Sequence, residues 1–303
     1  MGTPDFAVPS LQGLMEDGHE IPLVVTQPDR PRGRGRKPRP SPIKEMAMAL
    51  QIPVIQPEKI SDPQAIAEIA DARPRVIVVI AFGQILCREV LSIPELGCIN
   101  AHASLLPRHR GAAPIQWAIL KGDRVTGVTT MLMNEGLDTG DVLLQRQEPI
   151  RDDDTAGPLH DRLAAVSAEL VSDTVEVLDR GTIKPAPQDH GKATYAPQIA
   201  KEHGKIDFTE DADTIARKVR AFNPWPGAYA FIGGEQTRVT RAKPETGLQA
   251  QPGKILSADN NGIVVACGSG VLRVLELRPP GKRSMEAGAF LAGRKLGPGD
   301  KIG

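Results

Sequence analysis

The stretch "INAHASLLPRHRG" (residues 99–111) places an amide, Asn100, two residues before an imidazole, His102. In extended backbone residues i and i+2 share one face, so the two side chains would look into the same space. A carboxylate partner is offered by "GLDTGD" (residues 136–141), where either Asp138 or Asp141 could orient the ring and raise its proton affinity. Amide, ring and carboxylate make a set without a nucleophile. The chain has no Gly-x-Ser-x-Gly elbow and no His-Glu-x-x-His zinc motif. The chemistry that fits is direct passage of an acyl group between two bound molecules. The amide would donate to the developing oxyanion, and the imidazole would stabilise charge or shuttle a proton. Removing one such donor raises a barrier by about 2.7–4 kcal/mol.

These groups need a scaffold that ends a buried strand at Asn100. Residues 22–26 ("PLVVT"), 52–55, 76–80 ("VIVVI") and 97–99 read as short apolar strands. Helical patterns at 42–50, 62–72 and 86–91 alternate with them, the signature of a parallel sheet covered on both faces. His102 then follows the carboxyl end of a strand, where open α/β sheets bind ligands. A helix over 113–121 has Pro114 in its first turn. Residues 127–133 and 141–150 read as strands joined by an exposed loop, 134–140. The segment 158–180 is an amphipathic helix with Leu159, Leu163, Val166, Leu170, Val177 and Leu178 on its apolar side and Gly181 as a C-cap. Residues 184–205 lack periodicity. Beyond them come a short helix (213–222) and five apolar strands separated by turn signals, which suggests a small β-barrel. The expected architecture is α/β: a Rossmann-like, doubly wound, mostly parallel sheet in residues 1–184, a linker at 185–203, and a C-terminal, OB-like barrel in 204–303. Residues 1–15 ("MGTPDFAVPSL…") have the pattern of a loop and helix that follow a first strand, yet no strand precedes them in this sequence.

Composition narrows the function further. Among 303 residues only 3% are aromatic and 40% are apolar, so the cores are aliphatic. No run of eighteen apolar residues and no leader pattern is present, which points to a soluble, cytoplasmic protein without a membrane partner. Nothing suggests more than a monomer. Cys87, Cys98 and Cys267 are widely spaced, which suggests small buried hydrophobes and no metal site. Net charge is zero, but residues 1–200 carry 21 basic and 26 acidic side chains, against 16 and 11 in residues 201–303. The loop 28–40 ("PDRPRGRGRKPRP") alone holds six basic residues and one acid. Its Arg, Gly and Pro alternation keeps it out of a helix and mobile, and suits it to phosphate contacts. Two glycines there do not make a dinucleotide fingerprint, and no Walker A loop is present.

"INAHASLLPRHRGAAPIQWAI", "GVTTMLMNEGLDTGDVL", "MGTPDFAVPSL", "TQPDRPRGRGRKPRPSPIK", "AFGQIL", "VRAFNPWPGAYA" and "LRPPGKRSMEAGAFLAG" together resemble the folate-dependent formyltransferases over essentially the whole chain. The Asn-x-His and LDTGD pair is shared across that group. The Arg-rich loop and the second domain resemble its tRNA-acting branch. The resemblance implies that Asn100, His102 and Asp138 are catalytic, with Asp138 and not Asp141 beside the ring. It implies that the formyl donor, 10-formyltetrahydrofolate, lies along Phe82, Gly83, Gln84, Ile85 and Leu86, along Ser104, Leu105, Leu106 and Pro107, and along Gly136 and Leu137, with no metal. It implies an initiator methionyl-tRNA as acceptor, met by Arg30, Arg32, Arg34, Arg36 and Lys37 in the loop and by Lys282 and Arg283 in the tail domain. Members of the group usually open with a short apolar strand before the MGTP-like segment, and Gln84 and Cys87 replace their more apolar or proline-like residues.

Overall fold

The computed structural model describes residues 1–32, 37–248 and 250–303. The chain forms two compact units, each drawn from separate stretches of sequence. One comprises Met1–Pro114, Val125–Pro149 and His160–Ala196, the other Ile115–Arg124, Ile150–Leu159 and Pro197–Gly303.

In the first unit the strands are β1 (Val24–Val25), β2 (Arg30–Arg32), β3 (Lys37–Arg39), β4 (Val54–Ile55), β5 (Ile77–Val79), β6 (Cys98–His102), β7 (Val125–Leu132) and β8 (Val142–Pro149). β1 pairs with β4, and β5 with β6, both in parallel. β6–β7 and β7–β8 are antiparallel. The parallel, Rossmann-like half thus passes into an antiparallel flank at β7. Helices α1 (Val8–Glu16), α2 (Pro42–Ala49), α3 (Pro63–Asp71), α4 (Arg88–Leu91) and most of α6 (Ala156–Asp179) accompany these strands; α5 (Pro114–Lys121) begins as this unit ends. Their starts are written in local chemistry. Ser41 accepts from the Lys44 amide and Asp62 from the Gln64 amide, each followed at once by proline. Ile60, Ile69, Ile77, Val79, Phe82, Leu86 and Val90 fill the core on one side.

Residues 1–7 adopt the loop and helical turn anticipated from their pattern, with α1 following. Met1 and Gly2 occupy the middle of the sheet: the Gly2 amide donates to Val25 O, the Ile80 amide donates to Met1 O, and Gly2 bridges Ile80 in parallel. Beyond them, β1 and β5 border a cavity of about 560 Å³ lined by Leu11, Leu14, Val24, Ile69, Ile77 and Val175. Burial lowers the Met1 ammonium to about 6.

Two readings of the sequence change. The loop 28–40 is not wholly irregular: β2 and β3 form an antiparallel ladder, Arg30 opposite Arg39. Extended Arg-Pro-Arg and Lys-Pro-Arg triplets satisfy proline's fixed φ and still pair at alternate residues. The stretch 184–205 does not run free either. Ala186 exchanges two backbone hydrogen bonds with Val142, and the Ala196 amide donates to Arg110 O.

The second unit is a curled antiparallel sheet in the order β11 (Ile255–Asp259), β12 (Gly262–Ala266), β13 (Val271–Arg278), β10 (Glu235–Glu245), β9 (Tyr229–Ile232), with β14 (Met285–Glu286) on β13. Its edges β11 and β9 both meet the last residues of the chain: the Ile255 amide donates to Asp300 O and the Gly303 amide to Phe231 O. Helix α7 (Ala212–Ala221) is capped by Asp211 and buries Ile215, Ala216 and Val219. With Phe290 of α8 (Ala287–Leu291), these close the core over Ile263, Leu272, Val274 and Leu277. Among the described residues no helix is long and apolar enough to cross a membrane.

On this sheet Glu245 accepts from Arg273 Nε at 2.9 and 3.0 Å and lies 2.9 Å from Lys243 Nζ. The Arg273 hydrogen bond, then that of Lys243, holds its carboxyl down at about 2. A depressed carboxyl contributes stability above its ordinary value of 4.5 that is lost as pH falls towards 2. Thermal unfolding of Glu245→Gln across pH 2–5 should therefore show a shallower acid-side fall in Tm than the parent, with a deficit of no more than about 1 kcal/mol near neutrality.

Candidate active site

β6 is buried along its whole length, between β5 and β7. It runs on through Asn100 and His102, so both lie within the strand at its carboxyl end, on one face. Asn100 sits opposite Val79 and Met131, and His102 opposite Thr129. Only 9% of Asn100 and 7% of His102 are exposed.

The carboxylate that joins them is Asp138, on the loop between β7 and β8. Its Oδ1 accepts from Asn100 Nδ2 at 3.4 Å, its Oδ2 accepts from the Gly111 amide at 2.8 Å, and Oδ2 lies 3.7 Å from His102 Nδ1. No ion pair or hydrogen bond links Asp141 to the ring among the described residues, so of the two acids the geometry selects Asp138. The nearer anchor of the imidazole is a main-chain group: Nε2 lies 2.8 Å from His109 O. In the imidazolium form each ring nitrogen therefore faces an oxygen. The second N–H of Asn100 remains available to a reacting carbonyl oxygen.

The backbone is bent hard around this cluster. His109 and Asp138 have φ of +57° and +51°, a left-handed conformation that costs a non-glycine residue about 1–3 kcal/mol. Gly111 has φ +116°, and a Cβ there would stand 2.8 Å from Ala196 O. Only glycine lets that amide approach Asp138.

His109, flanked by two arginines in the sequence, is buried, 4% exposed, with its carbonyl turned in to meet His102. The adjacent Arg110 is also buried, at 2%. Its Nε and Nη2 donate to Gln188 Oε1 at 3.1 and 2.6 Å. Gln188 Nε2 donates in turn to Asp138 O at 3.0 Å and Gly140 O at 2.7 Å. Neither Arg110 nor Gln188 stood out in the sequence. Gln188 lies fifty residues from Asp138 in a stretch without periodicity, and no local signal marks it.

The residues expected along the folate divide by burial. Phe82, Leu86, Ser104 and Leu106 are buried: Phe82 and Leu86 belong to the core beside β5, and Ser104 Oγ donates to Arg108 O. Leu105 and Pro107 are half-buried, and Gly83 and Gly136 are exposed. Ile85 and Leu137 hold their apolar side chains out, at 79% and 56%. Gln84 is tied to the Ile60 amide and to Pro57 O. Thr129 holds the 104–106 turn, donating to Ser104 O and accepting from the Leu106 amide. Of the basic residues expected to meet tRNA, Arg30, Lys282 and Arg283 are exposed. Arg32 and Lys37 face each other in the β2–β3 ladder, and Arg34 and Arg36 lie outside the described residues.

The loop's return to β8 depends on Gly140. A Cβ there would fall 1.6 Å from Leu132 O, a contact no side-chain rotation relieves. Gly140→Ala should destabilise the fold by about 3 kcal/mol or more, the upper end of overpacking costs, as read by urea unfolding.

Comparison with known proteins places the chain in context. A family model described as formyl transferase matches residues 1–175, and a formyl transferase C-terminal domain model matches residues 198–295. A methionyl-tRNA formyltransferase of Citrifermentans bemidjiense is 51% identical over 303 residues, all of this chain and 95% of that protein. One from Geobacter sulfurreducens is 46% identical over the same length, again covering 95% of that protein. Among solved structures, HypX from Aquifex aeolicus in complex with tetrahydrofolic acid superposes with a TM-score of 0.57 at 24% identity. The match covers 82% of this chain and 43% of HypX, so the chain spans less than half of that protein. WlaRD, a sugar 3N-formyl transferase, superposes with a TM-score of 0.67 at 19% identity over 93% of this chain and 97% of its own. Identities this low speak to fold alone.

Proposed function

The chain belongs to the formyl transferase family, and from that premise we propose that it passes the formyl group of 10-formyltetrahydrofolate to the amino group of methionine on initiator tRNA, acting as a monomer. The convergence of Asn100, His102 and Asp138 at the carboxyl end of β6 carries this reading. Among the described residues it offers donors and proton carriers and no side chain placed to hold an acyl group, as direct transfer between two substrates requires.

The methionine amine attacks the formyl carbon, forming a C–N bond while the carbonyl electrons move onto oxygen. The free N–H of Asn100 and the His102 imidazolium stabilise that charge. The Asp138 carboxylate, fixed by the Gly111 amide, keeps the imidazolium and the Asn100 amide in place and takes up the proton the amine sheds. The bond between formyl carbon and the folate nitrogen then breaks, and the proton is returned to that nitrogen. The exposed side chains of Ile85 and Leu137, with main-chain groups of residues 82–86 and 104–107, suit a planar, hydrogen-bonding heterocycle. The basic residues Arg30, Arg32, Arg34, Arg36 and Lys37, and Lys282 and Arg283, would meet the phosphates of the tRNA.

Formylation of charged initiator tRNA should exceed that of a matched elongator tRNA, and a small aminosugar nucleotide should be a poor acceptor. Preference for the small amine would refute the tRNA assignment. His102→Ala and Asp138→Ala should each lose at least about a hundredfold in kcat, the lower end of acid–base contributions, with the far-ultraviolet circular dichroism unchanged. Replacing Arg34 and Arg36 by Ala should weaken tRNA use and reduce the slope of log kcat/KM against log salt by about one to two. An unaltered slope would show that the loop makes no phosphate contacts.

A further inference from the structure

Gln188 uses every hydrogen-bonding site its amide has. Oε1 takes two N–H groups from Arg110, and Nε2 gives its two hydrogens to Asp138 O and Gly140 O. The orientation is forced, because a flipped amide would set its oxygen against two carbonyls and its hydrogens against a guanidinium. Arg110 stands between the two residues whose main-chain groups hold the site. The carbonyl of His109 meets His102, and the amide of Gly111 meets Asp138. The other face of the guanidinium lies 3.3 Å from His190 Nδ1.

We infer that Gln188 is a positioning residue for formyl transfer, spanning from Arg110 to the Asp138 main chain and so fixing the Asp138 carboxylate against the His102 ring. This rests on the reading of the site given above. Neither segment that Gln188 joins lies within a strand: Arg110 makes a single parallel bridge to Tyr195, and the 134–140 loop has no such bridge among the described residues. Residues 108–111 follow the end of β6, and 134–140 connect β7 to β8. Asp138 is held in left-handed backbone, φ +51°, which relaxes unless its surroundings oppose it. The carboxylate's own bond to Gly111 constrains one end of the residue, and Gln188 constrains the other. Without Gln188 the loop retains its length and its Gly111 contact but loses the restraint on the Asp138 carbonyl, and the carboxylate shifts along β6. Displacement of a reacting group by about 1 Å costs on the order of a hundredfold in rate.

Two variants test this. Gln188→Met keeps the volume and removes the hydrogen bonds to Arg110, Asp138 and Gly140. Gln188→Glu keeps an acceptor for Arg110 and so the packing of that buried cation, but loses both N–H donors to the loop. Each is assayed for kcat, for KM with folate and with tRNA, for the pH profile of kcat, and for Tm. Positioning predicts that kcat falls by about a hundredfold in both, that each KM stays within about threefold, and that the pH profile of kcat moves with the altered carboxylate–imidazole spacing. A purely structural role lowers Tm only. Folded Gln188→Glu with parental kcat and pH profile overturns the inference, as does a loss confined to KM for tRNA. Parent protein that transfers no formyl group removes the functional reading, and this inference with it. Parent activity with an unaffected Gln188→Glu removes this inference alone.

Discussion

The carboxylate of Asp138 is the point on which the site turns. It accepts the Gly111 amide on one oxygen, reaches the Asn100 amide with the other, and faces the His102 ring. A carboxylate so placed and so little exposed must have its oxygens met by donors, because an unpaired buried charge is costly. That need explains much of the local geometry. Asp138 and His109 are both bent into left-handed backbone, Gly111 is stripped of a side chain, and an arginine is buried beside them. Each is unfavourable alone. Together they bring two loops and a strand end to one place.

The strand end itself is set by ordinary packing. β6 is central, covered on both faces, and paired on both sides. Nothing in it can shift by one residue without sending Asn100 and His102 to the wrong face. The amide and the ring stand on the strand, and the carboxylate on the loop between β7 and β8.

The second unit is built on a different principle. Its curled sheet closes over aliphatic side chains, with the chain's final residues hydrogen-bonded to both edges. Sheet edges left open invite pairing with other chains, and the terminal segment answers that hazard on both edges. The surface that remains carries exposed Lys282 and Arg283 on the connection between β13 and β14.

The sequence by itself determined the strand and helix periodicities and the shared face of Asn100 and His102, because each depends on residues within a few positions of one another. It also brought Asp138 and Asp141 forward as the carboxylate partner, through glycines that mark a close approach. Tertiary structure decided the rest. It chose Asp138 over Asp141, turned His109 inward, gave the ring a main-chain anchor, and brought Gln188 under a loop fifty residues away. It also gave the Arg-rich loop a short ladder and put Phe82 and Leu86 in the core. The reason is physical: a buried polar group must find its partners in three dimensions, and those partners lie at sequence separations where neither helical nor strand periodicity leaves a trace.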